Sequence, residues 1–278
     1  TDLREGSSMH YLNPPPTAVH PNSPMTPEQI DTASQFVDEL IDLRILVPPA
    51  EGVEVKTTIP LFLIPKAGQP GQWRCIADAK AGGQNDCSAA DPVYLNKASH
   101  ILDQLYEGGW SCVVDASKFF YQFKTRAEEQ CHMGLIHPRD GTVWVYAGLP
   151  MGASPSPGHA GRYGLAFLRL LKEEFGEYRG RPELNCWWSG FKYDGYNPKL
   201  GYGYLWRLPD ERGMVKVFVH VDDFFLHGPT LGLTSRALSL FLDLSVRVGL
   251  LCHPEKLKHP CQVQVYTGFL FDTRGVPL

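Results

Sequence analysis

Asp222 and Asp223 stand side by side between two apolar runs, Met214 to Val219 and Phe224 to His227. Runs this short and this rich in Val and Phe read as β-strands, so the acidic pair falls at the bend of a hairpin. A further apolar run, Trp110 to Val114, also ends in an acid, Asp115. Carboxylates crowded at strand ends repel one another and are poorly solvated unless a cation neutralises them. Hard oxygen donors suit Mg²⁺, which keeps waters and phosphate oxygens in its shell. Two such ions, roughly 4 Å apart, can clamp the attacking and leaving oxygens of an in-line phosphoryl transfer. An isolated Asp-Asp pair is more often a solvated turn. The apolar flanks on both sides argue against that here.

The elements around these acids follow a definite order. Thr26, Pro27 and Gln29 form a capping box with Pro at the first helical position. Ile30, Ala33, Val37, Leu40 and Ile41 then fall on one helical face, and Pro48-Pro49 ends the pattern. Strand-like runs Thr57 to Pro65 and Trp73 to Asp78 flank a turn composition at residues 67–71, with basic Lys66 and Arg74 at its shoulders. A short helix is predicted from Ser99 to Gly108, and a hairpin region over Lys124 to Val145 with its turn at Asp140-Gly141. The Gly/Pro loop from Gly148 to Gly158 leads into a helix to about Phe175. Another helix begins near Thr234 and ends near Gly249, before strands Val263 to Tyr266 and Phe269 to Asp272. Strand–helix–strand–strand–helix–strand around the acids implies an α+β fold with a split βαβ, ferredoxin-like antiparallel sheet and helices on one face.

Composition sets the class. A chain of 278 residues, 43% apolar and 20% charged, is long enough for one large core or two smaller ones. Seven scattered Cys without a CxxC pair suit a reducing intracellular compartment, cytoplasm or nucleus. No apolar run approaches the roughly 18 residues of a membrane span, so no membrane partner is expected. The net charge of −4 weighs against nucleic-acid binding. Local basic stretches, Lys118 to Arg126 and Arg162 to Arg181, and an acidic metal site that lowers the total, offset it. Cys252, His253, His259 and Cys261 cluster without a common zinc spacing.

Five ordered segments resemble the reverse transcriptases of retroelements, over roughly residues 28–272. Leu63-Ile64-Pro65-Lys66 with Trp73-Arg74-Cys75-Ile76-Ala77-Asp78 looks like the fingers hairpin. Val114 to Phe123 looks like the first catalytic motif, and Leu149-Pro150-Met151-Gly152 with Ser156-Pro157 matches an LPxGxxxSP loop. His220-Val221-Asp222-Asp223 looks like the YxDD box. Pro254-Glu255-Lys256 and Tyr266-Thr267-Gly268-Phe269-Leu270 look like the lysine motif and the primer grip. The wording is nearest to LTR-type, DIRS-like or gypsy-like, retrotransposon enzymes.

The resemblance implies an RNA-directed DNA polymerase, a two-metal nucleotidyltransferase with right-hand fingers and palm. The expected parts are an extended arm over 1–24, fingers over 25–100 and 124–148, and palm over 101–123 and 149–278. An insertion is expected at about 176–213, with the thumb and RNase H region lying downstream in the same polyprotein. Two Mg²⁺ ions, replaceable by Mn²⁺, would be held by Asp115, Asp222 and the Ala116 carbonyl, with Asp223 a weaker partner. Lys66 and Arg74 would bind the triphosphate of a dNTP. Phe120 would block a ribose 2′-hydroxyl, and Met151, Gly152 and Ser156 would face the nucleotide and template base. Lys256 is the candidate general acid, and Thr267, Gly268 and Phe269 would grip the primer of an RNA or DNA template–primer.

Departures from the family pattern accompany these roles. Phe119 stands where relatives carry a small residue near the sugar, so either the nucleotide pocket differs or Phe119 points away. His220 replaces an aromatic, Met151 a residue often Gln or Phe, and Lys80 is the nearest basic residue after Asp78. In the insertion, Trp187, Trp188, Tyr193, Tyr196, Tyr202, Tyr204 and Trp206 interleave with Lys192, Lys199 and Arg207. Such aromatics stack on bases or cover the core of a small added hairpin. A non-catalytic nucleic-acid-binding descendant is the rival reading, and an RNA-dependent RNA polymerase a third.

Overall fold

A computed structural model of the chain describes residues 5–90, 93, 95, 97–176, 196–197, 201–207 and 214–275. The chain divides into two units, Thr1–Pro92 with Phe120–His159, and Val93–Phe119 with Ala160–Leu278. Both mix helices with antiparallel sheet. Among the described residues no helix is long and apolar enough to cross a membrane.

In the first unit, helix α1 (Pro27–Asp42) starts at the capping box read from the sequence: Thr26 accepts from the Gln29 N–H while the Gln29 side chain accepts from the Thr26 N–H. Its apolar stripe buries Ala33, Val37 and Leu40. Strand β1 (Leu46–Val47) comes next, then the hairpin of β2 (Leu61–Pro65) and β3 (Trp73–Ala77), and the short helix α2 (Gln84–Cys87). The chain then enters the second unit for α3 (Ala98–Leu102) and β4 (Trp110–Asp115), and returns for β5 (Gly134–Ile136) and β6 (Val143–Tyr146). Strands β1, β6 and β5 form a three-stranded antiparallel sheet.

One local expectation changes in this unit. The run from Thr57 becomes strand only at Leu61, because the Thr57 and Thr58 backbones bridge to Ala18 and Gly134 instead, and their buried hydroxyls also serve the N-terminal segment. Thr57 Oγ1 donates to the Pro16 carbonyl at 2.6 Å, and Thr58 Oγ1 donates to that of His20 at 2.9 Å. The N-terminal segment, of which residues 5–24 are described, is built into the unit. Met9 is fully buried, and Glu129 accepts from Ser8 Oγ (2.8 Å) and the Met9 N–H (2.6 Å).

Helix α4 (Ser156–Gly176) carries the chain into the second unit, which holds β7 (Tyr196–Asn197), β8 (Gly201–Arg207), β9 (Met214–His220), β10 (Asp223–Gly228), α5 (Leu231–Val248), β11 (Lys258–Cys261), β12 (Val263–Tyr266) and β13 (Phe269–Asp272). Six strands form one sheet in the order β11-β4-β10-β9-β8-β7, every neighbouring pair antiparallel. Alternation along β10 sends Phe224 and Phe225 to opposite faces. Phe224 meets Phe119, Phe167 of α4 and Phe241 of α5 through edge-on rings. Phe225 packs with Val113, Phe218, Tyr266, Phe271 and Ile101.

The expectation of helices on one face therefore needs amending. The two long helices share a face, while the β12–β13 hairpin and the short α3 cover the other. Helix α3 also stops at Leu102 instead of running to Gly108. Downstream backbone donors are diverted to tertiary acceptors: the Tyr106 N–H goes to His227 Nε2 at 2.7 Å, and the Gly108 N–H to the Thr273 carbonyl at 2.5 Å. Helix α5 begins three residues earlier than expected, where Thr230 accepts from the Leu233 N–H, and Gly249 at φ +76° closes it. In the insertion, β7 and β8 pair as a hairpin that lengthens the sheet. Trp187, Trp188, Lys192, Tyr193 and Lys199 lie outside the described residues.

Candidate active site

The acids come together on the second unit's sheet. Asp115 ends β4 and Asp223 begins β10, and the two are direct cross-strand partners. Asp222 lies in the two-residue bend between β9 and β10, closed by the pairing of His220 with Asp223. Two-residue hairpin bends favour positive φ at their first position, and Val221 adopts φ +59° there. A β-branched side chain in that region is strained, on the order of 1–2 kcal/mol.

Backbone bonds fix the segment beyond β4. The Ala116 N–H donates to the Asp222 carbonyl at 2.8 Å, the Ser117 N–H to that of Leu251 at 2.9 Å, and the His253 N–H to that of Asp115 at 2.8 Å. None of these three bonds involves the Ala116 carbonyl. The Pro254–Lys256 turn is thereby tied to the end of β4, and Lys256 Nζ reaches both carboxylate oxygens of Asp115, at 3.2 and 3.1 Å.

Crowding shows in proton affinity. Burial, and then the charges of Asp222 and Asp115, push Asp223 up to about 6. Asp222 is also raised, mainly by burial, with Asp115 adding to it and Lys256 opposing. His220 is lowered by burial, against the pull of Asp222, which favours the neutral ring. A site that stabilises protonated carboxylates is short of positive charge. Among the described residues no group of three or more His, Cys, Asp or Glu side chains is gathered so as to hold a metal ion by itself. Hard oxygen donors at one bend, one of them already bridged by an ammonium, nevertheless fit a hard divalent ion that draws part of its shell from water and substrate.

Two further segments meet this bend. Thr267 and Gly268, at φ +48° and +83°, form the two-residue turn between β12 and β13, the geometry of a type I′ hairpin. Phe269 is exposed beside it. The buried Tyr266 donates its hydroxyl to the Asp223 carbonyl at 3.1 Å. Its ring lies 4.9 Å from that of Phe225. Phe119 is buried, its ring packed edge-on against Phe224.

The remaining candidates belong to the first unit. Lys66 and Arg74 are exposed on the β2–β3 hairpin, where Arg74 pairs with Ile64. Phe120 is half-buried and Met151 exposed. Ser156 is buried, its hydroxyl donating to the Pro150 carbonyl at 2.8 Å, so it braces the loop from within. Gly152 has φ +107°, and a Cβ there would stand 2.4 Å from the Ala77 carbonyl oxygen. Asn85 clamps the same loop from both sides: Nδ2 donates to the Gly152 carbonyl at 2.9 Å, and Oδ1 accepts from the Ser154 N–H at 2.7 Å. Neither Asn85 nor the Tyr266 hydroxyl carried a local signal, since each acts across a distance that only the fold closes.

No family model matches the sequence, and no curated protein matches it. Solved structures do. A foamy viral protease-reverse transcriptase in complex with double-stranded DNA aligns over 96% of this chain at 16% identity, with a TM-score of 0.65. The fold is that of a reverse transcriptase. The native prototype foamy virus protease-reverse transcriptase gives 0.64 at 17% identity over 96%. A foamy viral protease-reverse transcriptase in complex with an RNA/DNA hybrid gives 0.63 at 14% identity over 95%. This chain spans 39%, 29% and 28% of those three chains.

Proposed function

We propose that the chain is the fingers-and-palm part of an RNA-directed DNA polymerase of a retrotransposon-like element. One observation carries the reading: Asp115, more than a hundred positions from the adjacent Asp222 and Asp223, lies at their end of the sheet, paired across strands with Asp223 and next to the β9–β10 bend that holds Asp222. The reverse-transcriptase-like fold supports it. In this reading the second unit is the palm and the first unit the fingers. Template–primer lies on the protein mainly through its phosphates.

Asp115, Asp222 and the Ala116 carbonyl hold Mg²⁺, or Mn²⁺ in its place, with Asp223 a weaker contributor. Ions held there would supply Lewis-acid stabilisation of the charge that develops in phosphoryl transfer. The chain's own groups do the rest. Lys66 and Arg74 bind the triphosphate, and the planar fork of Arg74 matches phosphate oxygens. Phe120 selects a deoxyribose, and Met151 with Gly152 borders the base. Lys256 donates a proton to pyrophosphate. Thr267, Gly268 and Phe269 hold the primer end. Most of the catalysis is positioning and electrostatics.

Primer extension on an RNA template tests this, with deoxynucleotides or ribonucleotides and with Mg²⁺ or Mn²⁺. Wild type should extend with deoxynucleotides, and Asp222→Asn should lose at least about 100-fold in rate. Template–primer binding without synthesis would assign the chain to non-catalytic nucleic-acid binding. Ribonucleotide use would assign it to RNA synthesis.

A further inference from the structure

We propose that the Lys256 ammonium is the resident cation of Asp115, and that a divalent ion binds the site only by displacing it. The inference rests on Asp115 being a metal ligand. The Nζ atom lies 3.1–3.2 Å from both carboxylate oxygens, spanning the edge a metal would use. The lysine backbone cannot drift away. The His253 N–H is bonded to the Asp115 carbonyl, and the Lys256 N–H to the His253 carbonyl at 3.2 Å. The two side chains differ in what release costs them. That of Lys256 is 58% exposed and finds water at once, whereas that of Asp115 is 16% exposed and needs another cation.

Lys258, whose charge also bears on Asp223, is engaged elsewhere, its Nζ donating to the Val265 carbonyl at 2.6 Å. The ammonium thus neutralises Asp115 in the metal-free protein and competes with metal for the same oxygens. An anion that draws Lys256 off Asp115, such as a nucleotide polyphosphate, raises the site's cation affinity. By linkage, metal raises the affinity for that anion equally. Metal and nucleotide are coupled through one side chain.

Mn²⁺ binding, read from the paramagnetic resonance signal of the free ion, tests this on wild type, Lys256→Gln and Lys258→Gln. Both substitutions remove one positive charge, but only Lys256→Gln removes the competitor. Lys256→Gln should tighten Mn²⁺ binding about two- to fivefold. Lys258→Gln should change it by less than about 1.5-fold. No tightening in Lys256→Gln, or equal tightening in both, overturns the proposal, and matched melting temperatures show that each variant is folded. An Asp115→Asn arm separates failure of the displacement from failure of the metal site. Mn²⁺ binding that survives Asp115→Asn unchanged removes Asp115 as a ligand, and with it the polymerase reading.

Discussion

At Asp223, burial acts first and the charges of Asp222 and Asp115 second, and the carboxyl rises from 3.8 to about 6. A carboxyl raised on folding is best accommodated protonated. Its contribution to stability is most favourable below pH 3.8, is lost as pH rises towards 6, and is a standing cost at neutral pH. Asp223→Asn should therefore raise the melting temperature of the metal-free protein by about 2 °C at pH 7.5, with the gain gone at pH 4. Thermal unfolding at the two pH values checks this, and an equal gain at both would contradict it. The same residue shows what local sequence could reveal. That Asp222 and Asp223 occupy a bend was legible from the apolar runs on either side. The raised pKa was not, because it comes first from burial, which only the fold creates, and in part from Asp115, more than a hundred positions away. Nor was the backbone strain at Val221, which a two-residue bend imposes on whatever residue stands there.

Among the elements, those with self-contained signals were read closely. The α1 capping box formed as expected, and β12 and β13 kept their predicted bounds. A Thr-Gly turn between two short runs rich in Val and Phe marks that hairpin locally, although it is Gln264 that is buried and Val265 that is exposed. Helix α3 was overestimated because its later donors are claimed by His227 and Thr273, which no local pattern announces. The loop around Gly152 combines both cases. Its motif was visible, but its clamp by Asn85 and its approach to Ala77 were not. Gly152→Ala meets a carbonyl oxygen at 2.4 Å and a φ of +107°. It should cost about 2 kcal/mol or more. Chemical denaturation would register the loss as a lower midpoint at unchanged slope. A midpoint equal to wild type would mean that the loop simply moves away from β3.

For the molecule as a whole, ordered motifs were the guide to the fold. Five short segments pointed to a fold that solved structures share at only 14–17% identity. Their order reflects a sheet whose strand sequence, β11-β4-β10-β9, places the β4 terminus beside the β9–β10 bend. A chain with net charge −4 must bind nucleic acid through local basic groups if it does so at all. Its affinity for a template–primer should then fall at least about tenfold between about 50 and about 200 mM salt. Fluorescence anisotropy across that range measures it, and a flat response would count against phosphate contacts. The bond from Tyr266 to the Asp223 carbonyl has a mechanical side. The phenolic O–H and the ring packed on Phe225 join the turn at residues 267–268 to the acidic corner, so a shift of either hairpin is passed to the other.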